Sequence, residues 1–272
     1  MLRYILNRLF YGTLVIFGVL VVVFFIFHAL PGDPVAMMAG QRTDVSTREA
    51  IAKDLGLDKP IPAQFLLYFN DLLPLSIHQN TTENQEKYGY TVLASVEQYA
   101  LVSKFPYMRR SFQNHRLVSD IIMEHVSGTF WLAFAAMLFA TVLGITFGVI
   151  ASLKQNTFAD HFLVSTSILG ISAPSFVVAI LMAVLFGFYW ADYTGLNLTG
   201  QLWVMDPIYG KHLELRNIIL PALTLGIRPL SIIVQLTRSS MLDVLSQDYI
   251  RTAKAKGLST SVIIFKHALK NA

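Results

Sequence analysis

The chain has 272 residues, of which 54% are hydrophobic and only 14% charged, and its mean hydropathy is +0.53. Soluble domains carry about 25% charged residues, so this balance points to a membrane protein. The formal net charge of +4 comes without a basic stripe interleaved with aromatics, which favours a membrane surface over nucleic acid as its partner. The absence of cysteine excludes disulfides, thiolate metal sites and cysteine nucleophiles, and seven scattered histidines lack ligand spacing, so no metal site is expected.

Four apolar segments reach the roughly 20 residues needed to cross a bilayer. The first, residues 9–30, follows Arg3 and Arg8. Its apolar core exceeds that of a signal peptide and no small-residue cleavage site follows, so it reads as a retained anchor. Pro31-Gly32-Asp33-Pro34 is turn punctuation just beyond it. A helix is predicted over 46–57, with Ser46 as N-cap, Glu49 completing a capping box and Gly56 near the end. Residues 76–116 are polar without clear periodicity and read as an insertion or a loosely ordered hairpin. From Val118 to His125 the chain turns helical again, leading into the second span at 129–153.

Gly144 and Gly148 in that second span have the spacing for close helix crossing, expected inside this subunit rather than at a partner interface. The third span, 162–190, is overlong and contains Pro174, which predicts tilt, a kink or a continuation into the headgroup region. Pro174 and Ser175 are candidate residues of a pore-lining bend, against the alternative of an ordinary packing kink. The fourth span, 218–236, holds Pro221 and the pair Arg228-Pro229. A charge at this depth costs about 2.5–3.5 kcal/mol. Arg228 therefore either lines a translocation path and attracts a substrate carboxylate, or packs on a carbonyl or acidic partner in a helix broken by Pro229. Trp131, Tyr189 and Trp190 sit near span ends, as interfacial aromatics do. The triplets Asn80-Thr81-Thr82 and Asn197-Leu198-Thr199 fit glycan acceptors, a pattern frequent by chance.

Short basic flanks set the topology. Arg3, Arg8, Lys154, Arg238, Arg251, Lys254, Lys256, Lys266 and Lys270 all fall on one side, predicting a cytoplasmic amino terminus and external 31–127 and 191–217 loops. The chain then divides into an N-terminal anchor (1–30), a periplasmic region (31–127) and a core of three spans (128–272). Near 243–260 the basic side carries a short helix, Asp248 to Lys256, closed by Gly257. Its small residues Thr252, Ala253 and Ala255 would let a groove wall approach closely, which suggests a docking element. The alternative is a basic amphipathic helix lying on anionic lipid.

The run Arg251-Thr252-Ala253, then Gly257, then Lys266-His267-Ala268-Leu269-Lys270-Asn271 resembles the cytoplasmic "EAA" loop of permease subunits in binding-protein-dependent ABC importers of the peptide/nickel branch. Arg251 stands where that loop's namesake acid would be. Other blocks resemble the family in order: Leu30-Pro31-Gly32-Asp33-Pro34, Leu55-Gly56-Leu57-Asp58-Lys59-Pro60, Thr129-Phe130-Trp131-Leu132-Ala133, Ser172-Ala173-Pro174-Ser175-Phe176, Leu220-Pro221-Ala222-Leu223-Thr224-Leu225 and Thr237-Arg238-Ser239-Ser240-Met241-Leu242. Residues 70–116 stand outside the resemblance.

The resemblance implies an all-α polytopic membrane protein with a type I importer permease fold, four transmembrane helices and the start of a fifth near residue 262. It implies import of di- or oligopeptides, or of nickel, driven by ATP hydrolysis on separate subunits. Asp248, Arg251, Thr252, Ala253, Lys256 and Gly257 would dock on an ATPase. The implied partners are a second related permease, two ATPase subunits, a periplasmic substrate-binding protein and the bilayer of a bacterial inner membrane. Since the family has two further helices after the docking loop, a truncated or split permease is an alternative expectation. A secondary transporter and an intramembrane enzyme are the rivals from other classes. No P-loop, G-x-S-x-G or H-E-x-x-H occurs, so neither ATP binding nor catalysis is legible in this chain, and no cofactor is expected.

Overall fold

The computed structural model describes residues 1–29, 35, 48–49, 52–53, 55–111, 113–114, 116–208 and 210–272. The Pro31–Pro34 turn lies outside these residues, as does Ser46 of the predicted 46–57 helix; of that helix Arg48, Glu49, Ala52, Lys53 and Leu55 are described and helical, with Gly56 in the turn that follows. Two compact units follow each other along the chain, Met1–Glu124 and His125–Ala272.

In the first unit, α1 (Leu2–Ala29) is one uninterrupted apolar helix whose side chains are mostly exposed, as they are on a helix with lipid for a neighbour. One side is covered by α2 (Ile61–Leu72), which starts behind Pro60 and carries Pro62 in its first turn, positions where a missing N–H costs nothing. An aromatic ladder joins the two helices. Phe17 meets Phe65 and Phe69 edge-on at 6.2 and 5.6 Å, and Phe24 meets Phe65 at 5.2 Å and Tyr68 at 5.7 Å.

Beyond α2 the chain forms a three-stranded antiparallel sheet in the order β1 (Leu75–Gln79), β3 (Tyr99–Ser103), β2 (Thr91–Val96), with α3 (Thr82–Tyr88) between β1 and β2. The segment is thus an ordered sheet, where the sequence suggested an insertion or a loose hairpin. Thr81 caps α3 by accepting from the Asn84 N–H at 3.3 Å, and Gly89 closes it at φ 57°. In β1 and β3 every second residue is buried, but in β1 the inward pair is Ser76 and His78 while Leu75 and Ile77 face out. The His78 ring stacks beside Tyr88 and Tyr90, and its Nε2 lies 3.1 Å from Ser76 Oγ.

Asp71, at the end of α2, gathers the segment after β3. Its carboxylate pairs with Arg109 at 3.1 Å, and its carbonyl accepts from Tyr107 N–H and from the Lys104 ammonium. Burial, with Lys104 and Lys87 adding to it against Asp71, holds His78 below the ordinary histidine range. Burial likewise lowers Lys104 and, together with Asp71, raises the Tyr88 phenol.

In the second unit all membrane-scale elements are helical. α4 (Val118–Leu153) has 36 residues and is about 54 Å long, well beyond the ~30 Å hydrocarbon thickness. It contains the predicted 118–125 helix and the second span without a break. A turn through Asn156 (φ 61°) leads to α5 (Phe158–Ser172). Then Ala173 and Pro174 are both extended, and α6 (Ser175–Val184) runs on through a π-helical turn at Leu185–Tyr189. Proline removes an N–H and forces its predecessor out of the helical region, and the chain direction bends by 107° between the two arms. Neither arm alone spans a bilayer, being about 22 Å long.

A short α7 (Ala191–Thr194) and a hairpin of β4 (Trp203–Asp206) and β5 (Gly210–Leu213) precede α8 (Arg216–Leu245). α8 is continuous through Pro221 and Pro229, so the expected break at Pro229 is corrected. Prolines are tolerated in membrane helices where neighbours support the freed backbone groups. Among the described residues, three helices are long and apolar enough to cross a membrane, or four counting the bent pair as one span.

α8 is seated against α4 and α5 through glycines. A Cβ on Gly144 would lie 2.8 Å from Ile233 Cβ, one on Gly148 would lie 2.6 Å from Thr237 Cβ, and one on Gly226 would lie 2.7 Å from the Phe139 ring. Gly170 of α5 makes room for Ser231 in the same way. The Gly144/Gly148 pair therefore packs within the subunit, as its spacing predicted. Buried hydroxyls bond back to their own helices: Ser231 donates to Ile227 O at 2.8 Å and Ser167 to Leu163 O at 2.7 Å.

Two outcomes follow. Gly148→Leu forces α4 away from α8 and should lower stability in detergent by about 1–3 kcal/mol, the usual cost of overpacking, whereas Gly128→Ala, with open space around it, should not. Thermal unfolding monitored by circular dichroism separates them. His78 is neutral in the folded protein and charged in the unfolded chain below about pH 6.5, so its contribution is present above that pH and is lost as the pH falls toward its lowered folded value. Protection factors of the β1 and β3 amides against hydrogen exchange should fall as the pH drops below about 6.5, and His78→Phe should flatten that response.

Candidate coupling segment and translocation face

After α8 the chain turns at Ser246 and Gln247 into α9 (Asp248–Ala255). Asp248 at the start and Lys254 at the end suit the helix dipole. Thr252 Oγ1 donates to Asp248 O at 3.0 Å, and Arg251 approaches the Asp248 carboxylate at 3.4 Å in full solvent exposure. The end is a Schellman cap. Gly257 N–H donates to Lys254 O at 3.0 Å and Leu258 N–H to Ala253 O at 3.4 Å, with Gly257 at φ 75°. A Cβ at Gly257 would meet no other atom of the chain within 4 Å.

The two faces of α9 differ. Ile250 (0% exposed) and Ala253 (6%) enter a cluster with Val149, Met241, Ile263, Ile264 and Ala268. Asp248, Arg251, Thr252, Lys256 and Gly257 are exposed. Five of the six expected docking residues thus share an open surface. Ala253 is the correction: its methyl is consumed by the chain's own core, because Ile250 and Ala253 are one turn apart on the rooted face. The chain then passes through the exposed α10 (Thr260–Val262) to the π-helical stretch Ile263–Ala268, which supplies Ile263, Ile264 and Ala268 to the cluster.

The outer face of α8 carries Pro221, Leu225, Arg228, Ile232 and Leu236, all exposed and spaced three or four apart. Arg228 sits in the middle of this apolar stripe and makes no hydrogen bond or ion pair with another described residue. The intrachain carbonyl or acidic partner considered from the sequence is therefore not found among them. Pro174 and Ser175 are exposed at the bend between α5 and α6, and no hydrogen bond links Ser175 to Arg228.

One pair escaped the sequence reading. Arg238, counted there only as a flanking cation, grips Asp160 with Nε to Oδ1 at 2.6 Å and Nη2 to Oδ2 at 2.7 Å, while Asn156 N–H donates to Oδ2 at 2.9 Å. The available signal was a single acid in the first turn of an otherwise apolar helix.

The described residues thus form a multi-pass helical membrane protein with an exposed helix rooted beside its membrane helices. The chain belongs to the binding-protein-dependent transport system inner membrane components, the permeases of ABC importers, whose family model matches residues 144–272, with the corresponding N-terminal model matching residues 1–90. Among its relatives, the dipeptide transport system permease protein DppB of Escherichia coli K12 is 33% identical over the whole chain and 76% of its own length. The di/tripeptide transport system permease protein DppB of Pseudomonas aeruginosa is 34% identical, again over the whole chain and 76% of its length. The glutathione transport system permease protein GsiC of Pectobacterium atrosepticum is 31% identical over the whole chain and 74% of its length.

The chain has no native cysteine, so single cysteines report the two faces of α9 directly. Arg251→Cys and Lys254→Cys should react readily with a polar maleimide in membranes from cells lacking the partner subunits, and Ile250→Cys and Ala253→Cys should not. Fast labelling at position 253 would contradict the rooted face.

Proposed function

We propose that this permease subunit carries di- or oligopeptides across the bacterial inner membrane, driven by ATP hydrolysis on separate ATPase subunits that dock on the exposed face of α9. The carrying observation is the asymmetry of α9. Its apolar side is fixed among residues of α4, α8 and the segment after α9, while Asp248, Arg251, Thr252, Lys256 and Gly257 are presented outward. A helix rooted this way can receive a push from a closing ATPase pair and pass it to the membrane helices. A basic helix lying on lipid would instead turn its apolar side to the membrane.

The dipeptide, di/tripeptide and glutathione systems of the relatives support short peptides as the substrate class. Arg228 supplies a positive charge on the path for a substrate carboxylate, with Pro174 and Ser175 contributing to the path at the bend. The basic flanks support a cytoplasmic amino terminus, which makes 1–30 an anchor, 31–127 a periplasmic region and 128–272 the translocating and coupling core. A second related permease, two ATPase subunits and a periplasmic binding protein complete the complex.

The docking reading is tested at Gly257. A β-branched residue resists positive φ but meets no intrachain obstacle there, so Gly257→Val alters the cap and the surface beside it. Copurification of the ATPase subunits and ATP-dependent peptide uptake should fall by about tenfold, the scale of a 1.4 kcal/mol loss, with membrane insertion unchanged. Gly257→Asn, which tolerates this backbone, should be nearly neutral. Undiminished association and uptake in Gly257→Val would defeat the reading.

A further inference from the structure

The Asp160–Arg238 pair is built more tightly than a helix flank requires. Asp160 is 1% exposed and receives three hydrogen bonds, two from the guanidinium of Arg238 and one from the Asn156 N–H. The guanidinium binds in the planar, two-pronged geometry that fixes orientation as well as distance. The pair joins α5 to α8.

Its position gives it a role. Arg238 lies in the last part of α8, the helix that continues into α9, and Asp160 lies in the first turn of α5, the helix that ends at the Pro174 bend. Beside it, Thr237 fits against Gly148 of α4. Further along, Gly170 of α5 admits Ser231 and Ile227 of α8. Apolar contacts of that kind resist separation but allow sliding and rotation. A bidentate ion pair allows neither without exposing the buried Asp160 carboxylate.

We infer that Asp160 and Arg238 form a coupling clamp, a positioning pair through which displacement of the docking helix is delivered to α5 and the Pro174 bend. The inference rests on the reading of α9 as the ATPase dock. With the clamp closed, α8 and α5 move together when α9 is pushed. With it open, α8 slips past α5, and ATP is hydrolysed without the bend changing.

The test uses the assembled transporter, both permeases, both ATPases and the binding protein, in proteoliposomes, and reads peptide transported per ATP hydrolysed. Asp160→Asn keeps the side-chain shape but removes the charge. ATP hydrolysis per assembled complex should stay within about twofold of the parent while transport per ATP falls about tenfold or more, within the range of coupling free energies. Arg238→Lys keeps the charge without the fork and should lie between the two. If hydrolysis and transport fall together and their ratio holds, the pair is only structural and the proposal is overturned. An unchanged ratio at full activity overturns it as well, and so does failure of both variants to assemble. A parent complex without ATP-dependent uptake would defeat the transport reading itself, and the clamp with it.

Discussion

The second unit depends on how closely α8 approaches α4 and α5. Lipid gives helices no hydrophobic reason to associate, so association rests on backbone proximity, dispersion and internal hydrogen bonds. Gly144, Gly148, Gly170 and Gly226 supply that proximity, and each lies where a Cβ would strike the facing helix. The Asp160–Arg238 pair then fixes the one end of this packing that adjoins the docking segment. Everything that follows α8 in the chain inherits its position from that seat.

α9 shows the consequence. An eight-residue helix has too few hydrogen bonds to persist alone in water. It is stable because Ile250 and Ala253 extend the core formed with Val149 and Met241, and because Gly257 completes the cap. The same rooting makes its outer residues a rigid surface. An Arg and two Lys side chains, with Asp248 at the helix start, are displayed on a base that cannot tilt without disturbing α4 and α8. Arg228 presents the complementary situation: a charge without a partner among the described residues, on the face of α8 turned away from its own core.

Much of this was legible in the residues. Long apolar runs gave the three long helices, Pro174 marked the interruption of the other run, the G-x-x-x-G spacing gave the close crossing, and Gly257 marked the end of α9. The sheet at 75–103 was not legible because β1 inverts the usual alternation, with Ser76 and His78 inward and Leu75 and Ile77 outward. Period-two apolar patterning is the signal for a strand, and here it points the wrong way. The inward direction of Ala253 was hidden because two turns of helix carry too little periodicity to fix a face. Asp160 and Arg238 are 78 positions apart, so only the packing of α5 on α8 brings them together. Pro229 misled in another way, since a rule learned from water-exposed helices overstates how readily proline breaks a helix held by neighbours.

Rooting of α9 on α4 and α8, with the Asp160–Arg238 pair holding α5, makes the docking helix and these helices move as one body. The most direct measurement is pulsed electron–electron resonance between spin labels at Lys254→Cys on α9 and Phe162→Cys on α5, both exposed positions in a chain free of native cysteine. It is recorded in the assembled transporter with and without ATP. The account requires one narrow distance distribution that is the same in both states, while distances from either label to the second permease change. A 254–162 distribution that shifts or broadens with nucleotide would mean that α9 moves independently of the membrane helices, and would contradict it.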